Sequence, residues 1–143
     1  MPLPDPHPGL VIAYAYLWAD EHAAGREEGV KDRPCAIVLV AERAEGGVMV
    51  TVVPVTHSAP ADPRTAVEIP ATTKRRLGLD AERSWIVCSE VNRFIWPGVD
   101  LRRVPGSNPP RFAYGVLPPG LFEIVKKTIE KCRAARRLRR TPR

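Results

Sequence analysis

The chain has 143 residues, of which 44% are hydrophobic and 27% charged, enough apolar material for one domain with a buried core. Aromatic residues make up only 6%, so we expect a mostly aliphatic core. Three widely spaced cysteines without a C-x-x-C pair argue against a zinc site and for a reducing compartment. The chain shows no signal peptide and no apolar run of membrane-spanning length, so we expect a cytoplasmic protein.

The net charge of +6 is concentrated in the last part of the chain. Residues 126–143 contain nine lysines and arginines against one acid, whereas the rest of the chain has a net charge of −2. Such a segment is either a solvated, fraying helix end or an electrostatic attractor for nucleic acid or an acidic partner. We predict a disordered basic tail at residues 136–143 and an extended, proline-rich lead at residues 1–8.

The sequence of the first half of the domain predicts one strand, one loop and one hairpin. Apolar residues on both faces predict a strand at residues 9–18 that is covered on both sides. The charged, glycine-punctuated residues 20–32 predict a mobile loop. Two β-rich runs at residues 34–41 and 48–55 are separated by a length that suits a hairpin, with Glu45-Gly46-Gly47 at its turn.

The sequence of the second half predicts short strands and helical turns separated by loops, followed by one amphipathic helix. The helix begins after Pro118-Pro119-Gly120, since Leu121, Val125 and Ile129 recur every four residues. The shorter predicted elements are an edge strand at residues 65–70, a helical turn or two at 71–77, a strand at 84–88 and another short strand at 99–104.

The predicted elements define a mainly β domain with a C-terminal helix. There are five to seven short strands, and no helices link them as a parallel sheet would require. We therefore predict a single domain at residues 9–135, built on a small, twisted antiparallel sheet that curls towards an SH3-like barrel.

Polar side chains stand at one end of the predicted hairpin. Arg33 precedes one strand, and Thr56 and His57 end the next, so pairing of the strands places a guanidinium, a hydroxyl and an imidazole close together. This set can bind a phosphate, because the guanidinium is planar and stays charged. Neighbouring strand residues point to opposite faces, so His57 joins Thr56 only if the strand has already ended.

These motifs resemble those of the PemK/MazF toxin ribonucleases of bacterial toxin–antitoxin pairs. The likeness lies in Arg33-Pro34, in Pro54-Val55-Thr56 and in Ser89-Glu90-Val91-Asn92-Arg93, and the order of elements agrees from about residue 9 to residue 132. It implies a homodimer that cleaves single-stranded RNA through its 2′-hydroxyl group, without a metal or other cofactor. It also implies inhibition by an antitoxin whose acidic, disordered tail fills the RNA groove.

The resemblance also suggests roles for individual residues. Arg33 would stabilise charge on the scissile phosphate, Thr56 would bind that phosphate, and Glu90 would be the base. Some members have an arginine at the position of Cys88, so the general acid is missing here and His57 is a candidate replacement. The residues expected to contact RNA are Arg93, Lys31, His22, Arg26 and Asn92.

Simpler explanations of the same residues remain open. Arg33 could pair only with Asp32 or Glu90, Thr56 could only cap a turn, and His57 could be exposed and idle.

Two other functions are compatible with the predicted fold. CcdB-type toxins share the barrel and bind DNA gyrase without catalysis, which needs no phosphate-binding arginine and threonine. A non-catalytic RNA- or DNA-binding module would depend on the basic tail, so that deleting the tail abolishes function and Arg33→Ala does little. The ribonuclease hypothesis predicts the reverse.

Overall fold

The computed structural model describes residues 3–23 and 32–143, with the backbone alone for residues 22 and 23. The described part is mainly β, with a helix near its C-terminal end, which confirms the predicted fold class. Its strands are β1 (Leu10–Tyr14), β2 (Arg33–Glu42), β3 (Val48–Thr56), β4 (Ala66–Glu68), β5 (Trp85–Val87), β6 (Glu90–Ile95), β7 (Leu101–Arg102), β8 (Ala113–Val116) and β9 (Arg139–Pro142). The helices are α1 (Ala19–Ala23), α2 (Ala71–Arg76) and α3 (Pro119–Ala134), with a 3-10 turn at Pro63–Thr65.

The strands form one twisted sheet that is not closed into a barrel. The main path runs β4-β5-β3-β2-β1-β7, with β8 paired to β1 and β6 paired to β3. All pairs are antiparallel except β6 with β9, which is parallel. The long strand β3 pairs with β6 along its first half and with β5 at its end, so it joins two parts of the sheet.

The hairpin of β2 and β3 is as the sequence predicts. Cys35 lies opposite Pro54, and the antiparallel pairing continues to the turn with one register shift between Ile37 and Leu39. The turn contains Gly46-Gly47, with φ angles of 95° and 82° that glycine adopts without steric cost. Because Arg33 begins β2 and Thr56 ends β3, the hairpin brings both residues to the same end of the sheet.

The sheet has a hydrophobic cluster on each face. Alternate residues of β1 and β3 enter different clusters: Val11 and Val53 lie in one, and Ile12 and Val52 in the other. The first cluster includes Val125 of α3, so the helix docks through its predicted apolar stripe. The second contains Tyr14, Tyr16 and Phe94. The prediction that the first strand is covered on both sides is confirmed, although β1 ends at Tyr14.

The prediction of a disordered basic tail is wrong. Residues 139–142 form β9, which extends the sheet beside β6. Thr141 is buried, and the Arg143 guanidinium lies 2.6 Å from the carboxylate of Asp100, with both side chains largely removed from solvent. The tail therefore belongs to the domain predicted to end at residue 135.

A turn at the end of α3 directs the chain into β9. Arg136 has a φ of 58°, the left-handed region that glycine usually occupies at this position. The N–H groups of Arg136 and Arg137 donate to the carbonyl oxygens of Arg133 and Cys132, at 3.0 and 2.7 Å. This pattern closes a helix with a Schellman motif. Because this position is an arginine and not a glycine, the sequence did not predict the turn or the strand that follows it.

Other differences from the predicted elements are local. The segment predicted as a loop at residues 20–32 begins inside α1, and β8 was not predicted. The predicted edge strand is β4, and the predicted helical turns are α2. Among the described residues, no helix is both long enough and apolar enough to cross a membrane.

Candidate phosphate-binding cleft

A cleft of about 360 Å³ opens at the end of the β2–β3 hairpin. We call it the Arg33 cleft. Strands β2 and β3 form one side, and α2 with the loop behind it forms the other. Its charged and polar lining includes Asp32, Arg33, Thr56, His57, Lys74 and Asp80.

Arg33 is half-buried and has an unsatisfied donor. One terminal nitrogen donates to the carbonyl oxygen of Val55 at 3.4 Å, and the guanidinium lies 4.9 Å from the centre of the Trp18 ring. The Nε atom is buried and has no hydrogen-bond partner in the described part of the chain. A buried donor without a partner is costly, so the fold holds this guanidinium with part of its hydrogen-bonding capacity unused.

The alternative explanation, that Arg33 pairs with a neighbouring acid, is not supported. Asp32 lies 3.4 Å from Arg102, and Glu90 accepts hydrogen bonds from other groups. Within residues 3–23 and 32–143, Arg33 forms no ion pair.

Thr56 lines the same cleft as Arg33. Its Oγ1 accepts a hydrogen bond from the Ser58 N–H at 3.2 Å, so Thr56 does cap a turn. A hydroxyl that accepts one bond still has a proton to donate, and capping therefore does not exclude phosphate binding. Arg33 and Thr56 also line a neighbouring hollow together with Trp18.

His57 follows the end of β3 and enters the cleft, which meets the condition set by strand geometry. Its Nε2 atom lies 2.7 Å from a carboxylate oxygen of Asp80 and 3.6 Å from Glu82. About half of the side chain is exposed, so the imidazole is oriented by carboxylates and still accessible. The imidazole therefore has a carboxylate partner and still faces the cleft.

Lys74 is buried and holds the loop that carries Asp80. Its ammonium donates to Asp80 Oδ1 and to Ser84 Oγ, each at 2.6 Å, and to the carbonyl oxygen of Glu82. All three donors of the ammonium are used. Nothing in the run Lys74-Arg75-Arg76 distinguishes the buried lysine from its two exposed neighbours, so this role could not be read from the sequence.

The charge state of Asp80 follows from these contacts. The hydrogen bond from Lys74 is the main cause that holds the pKa of Asp80 below its ordinary value, and the contact with His57 acts in the same direction. His57, Asp80 and Glu82 place possible ligand atoms within 4.8 Å of one another, as a metal site requires. All three are exposed, however, and Asp80 is already neutralised by Lys74, so the cluster is better explained as support for His57.

Glu90 does not line the cleft. Its carboxylate accepts hydrogen bonds from the Ala19 N–H at 2.9 Å and the Tyr16 hydroxyl at 3.2 Å. Burial raises its pKa, which is the direction a general base needs. Trp18 lies between Tyr16 and Ala19 in the chain, and its ring contacts Arg33. The Glu90 carboxylate and the Arg33 guanidinium therefore both contact the segment 16–19.

The residues expected to contact RNA have different positions. Asn92 is fully buried, and its amide binds both the N–H and the carbonyl oxygen of Leu17, at 2.9 and 2.8 Å. The prediction that Asn92 contacts RNA is therefore wrong. Arg93 is exposed but lies in a separate groove beside α3. His22 lies in α1, with its side chain outside the described part, and Arg26 and Lys31 lie outside the described residues.

Two supporting residues of the cleft were missed by sequence reasoning. Trp18 was included in an apolar strand, although a tryptophan near an arginine-initiated strand is a possible partner for that guanidinium. Asp80 lies 23 residues after His57, and no local pattern connects them.

Comparison with known proteins does not assign the chain to a family. No family model matches it, and no curated protein matches it either. A function therefore has to be inferred from the geometry of the Arg33 cleft and from the order of the motifs described above.

Proposed function

We propose that the protein is a metal-independent endoribonuclease acting on single-stranded RNA, with the Arg33 cleft as its active site. The observation that supports this most directly is that Arg33, which has no ion-pair partner in the described part of the chain, lines the same cleft as Thr56 and His57. On this proposal the protein is the toxin of a type II toxin–antitoxin pair, as the motif order suggests. It would act in the cytoplasm as a homodimer, inhibit growth by cutting RNA, and be controlled by a cognate antitoxin.

The proposed reaction uses the 2′-hydroxyl of RNA as nucleophile. The 2′-oxygen loses its proton and bonds to phosphorus, the bond to the 5′-oxygen breaks, and that oxygen takes up a proton. The products are a 2′,3′-cyclic phosphate and a 5′-hydroxyl. Arg33 and Thr56 would stabilise the charge that develops on the non-bridging oxygens, which is commonly the largest contribution to such a reaction.

His57 is the better placed of the two candidates for proton transfer. It lines the same cleft as Arg33, whereas Glu90 does not. Asp80 holds the imidazole at 2.7 Å, and Lys74 fixes Asp80, so the ring is oriented before substrate arrives. Glu90 remains a candidate base that requires RNA to reach the other side of the Trp18 segment.

The test is cleavage of a long single-stranded RNA in excess EDTA, with the product ends identified. Arg33→Ala should reduce the rate by about 10²–10³-fold, because it removes the group that stabilises the transition state. His57→Ala should reduce it by about 10²-fold. Arg76→Ala is the matched control, since Arg76 is exposed on α2 and outside the cleft; its rate should stay within about twofold of wild type.

Two results would overturn the proposal. Folded wild-type protein that cleaves none of several unrelated RNAs would exclude the activity as stated. Cleavage that persists in Arg33→Ala at the rate of Arg76→Ala would exclude the Arg33 cleft as its site. Deleting the basic tail is not a clean test of nucleic-acid binding, because residues 139–142 are a strand of the sheet.

A further inference from the structure

A second groove lies between α3 and the sheet, and it shares no lining residue with the Arg33 cleft. We call it the α3 groove; its volume is about 480 Å³. It adjoins a hollow over β6 and β9, and Arg93 and Arg140 line both. The two together form a continuous surface along one face of the sheet.

The floor of the α3 groove is aliphatic. Val38, Val91, Ile129 and Leu138 line it, with Leu39 at its side. Leu39 is 55% exposed, and Ile95 in the adjoining hollow is 43% exposed. Large apolar side chains this exposed and this close together are typical of an interaction surface.

The rim of the groove is mainly basic, with Glu130 as the acid among its described lining residues. Its cations are Arg93, Lys126, Arg133 and Arg140. The two on α3 pair with acids of the same helix, at 3.5 and 2.6 Å. Arg93 and Arg140 stand on the paired strands β6 and β9, and neither has an acidic partner in the described part of the chain. Two free guanidinium groups therefore stand over an apolar floor.

We infer that the α3 groove binds an acidic peptide segment of a partner protein, one that alternates carboxylates with aliphatic side chains. The carboxylates would pair with Arg93 and Arg140, and the aliphatic side chains would cover the floor. Arginine fits this role because its fork binds a carboxylate through two hydrogen bonds. Charge complementarity over an apolar centre is the usual composition of a specific interface.

The charge and composition of the groove disfavour two other occupants. A second copy in a two-fold contact would present the same lining, in which Glu130, the acid among the described residues, already pairs with Arg133, so Arg93 and Arg140 would find no free carboxylate there. Single-stranded RNA would need aromatic rings on which its bases stack, and no described residue that lines the groove or the adjoining hollow is aromatic. An acidic peptide with aliphatic side chains would pair with the arginines and also cover the apolar floor.

This inference does not depend on the proposed ribonuclease activity, since the two sites have separate linings. If both hold, the partner binds outside the catalytic cleft. RNA and the peptide would then be able to occupy the protein together, in contrast to a tail that fills the RNA groove.

The experiment selects short random peptides on the wild-type protein and measures the affinity of synthetic versions by fluorescence anisotropy. The enriched peptides should contain acids and aliphatic residues. Arg93→Glu/Arg140→Glu should weaken their binding by about tenfold or more, through like-charge repulsion. Arg76→Glu/Lys127→Glu is the matched control, because it changes the net charge equally at exposed positions outside the groove. It should bind within about twofold of wild type.

A second variant tests the apolar side of the contact. Leu39→Asp places a carboxylate at an exposed position on the side of the groove and should also weaken binding by about tenfold. The inference is overturned if no peptide is enriched, if the enriched peptides lack acids, or if they bind the double variant as well as the control. It is also overturned if an RNA oligonucleotide displaces them, or if the double variant converts a dimer to monomers.

Discussion

The Arg33 cleft and the α3 groove both contain arginines, but they hold their charges in different ways. In the cleft, Arg33 lies on Trp18 and donates to a carbonyl oxygen, and a chain of contacts from Lys74 orients His57. In the groove, two arginines stand free over an aliphatic floor. Groups that are fixed before substrate arrives favour chemistry, whereas unpaired charges around an apolar surface favour recognition of a partner.

The difference comes from where each region lies in the fold. The cleft is built where strands end and loops begin, so buried side chains there must satisfy backbone and polar groups. Lys74 does so for the carbonyl oxygen of Glu82 and the hydroxyl of Ser84. The groove lies along paired strands and a helix whose backbone groups mostly bond to one another, so its charged side chains are not needed to satisfy them.

The largest expected effect is a loss of stability when the buried ammonium of Lys74 is removed. Lys74→Met deletes an ammonium with three acceptors, which leaves the buried Ser84 hydroxyl and a carbonyl group unsatisfied. We expect the free energy of unfolding to fall by about 2–4 kcal/mol. Arg140→Met, the same change at a free charge, should alter it by less than about 0.5 kcal/mol. Urea denaturation measures both, and equal effects would remove the distinction between the two regions.

A smaller effect is expected at the turn that brings β9, and with it Arg140, to the groove. Arg136 adopts a left-handed conformation that costs an L-residue about 1 kcal/mol. Arg136→Gly should therefore raise the free energy of unfolding by about 0.5–1 kcal/mol. Ala134→Gly, inside the last turn of α3, should lower it by about the same amount. A loss of stability in Arg136→Gly would show that the arginine side chain contributes more than its backbone costs.

The smallest effect concerns Glu90 and pH. Burial raises its pKa above the ordinary value of 4.5, so above that pH the folded protein holds a proton that the unfolded chain has released. The contribution of Glu90 to the free energy of unfolding therefore falls as pH rises from 4.5 to the raised pKa. Glu90→Gln should remove this decrease, whereas the exposed Glu42→Gln should keep it. Denaturation at several pH values measures the slope; an unchanged slope in Glu90→Gln would contradict the burial explanation.

The same variant sharpens the comparison of the two regions. If Glu90→Gln also abolishes RNA cleavage, the carboxylate belongs functionally to the Arg33 cleft and its burial is a cost in stability that activity requires. If cleavage continues, the contacts of Glu90 with Tyr16 and Ala19 account for it as a structural residue.

Much of the fold was predictable because its signals are local. Alternating β-branched residues and two turn glycines specify the β2–β3 hairpin, and that hairpin alone brings Arg33 and Thr56 to one end of the sheet. The four-residue repeat of α3 likewise specifies which face docks. By contrast, Asn92 resembles any polar strand residue, and only its contact with Leu17, 75 residues away, shows that it is buried.

The sequence by itself therefore determined the mainly β class, the central hairpin, the docking helix and the position of Arg33 and Thr56 at the same end of the sheet. These features depend on periodicity and turn chemistry within a few residues. Only the tertiary structure decided that Lys74 is buried and orients His57 through Asp80, that Trp18 supports Arg33, and that the basic tail is a strand. Each of these depends on contacts between segments distant in sequence, where burial and hydrogen-bond satisfaction override local propensity.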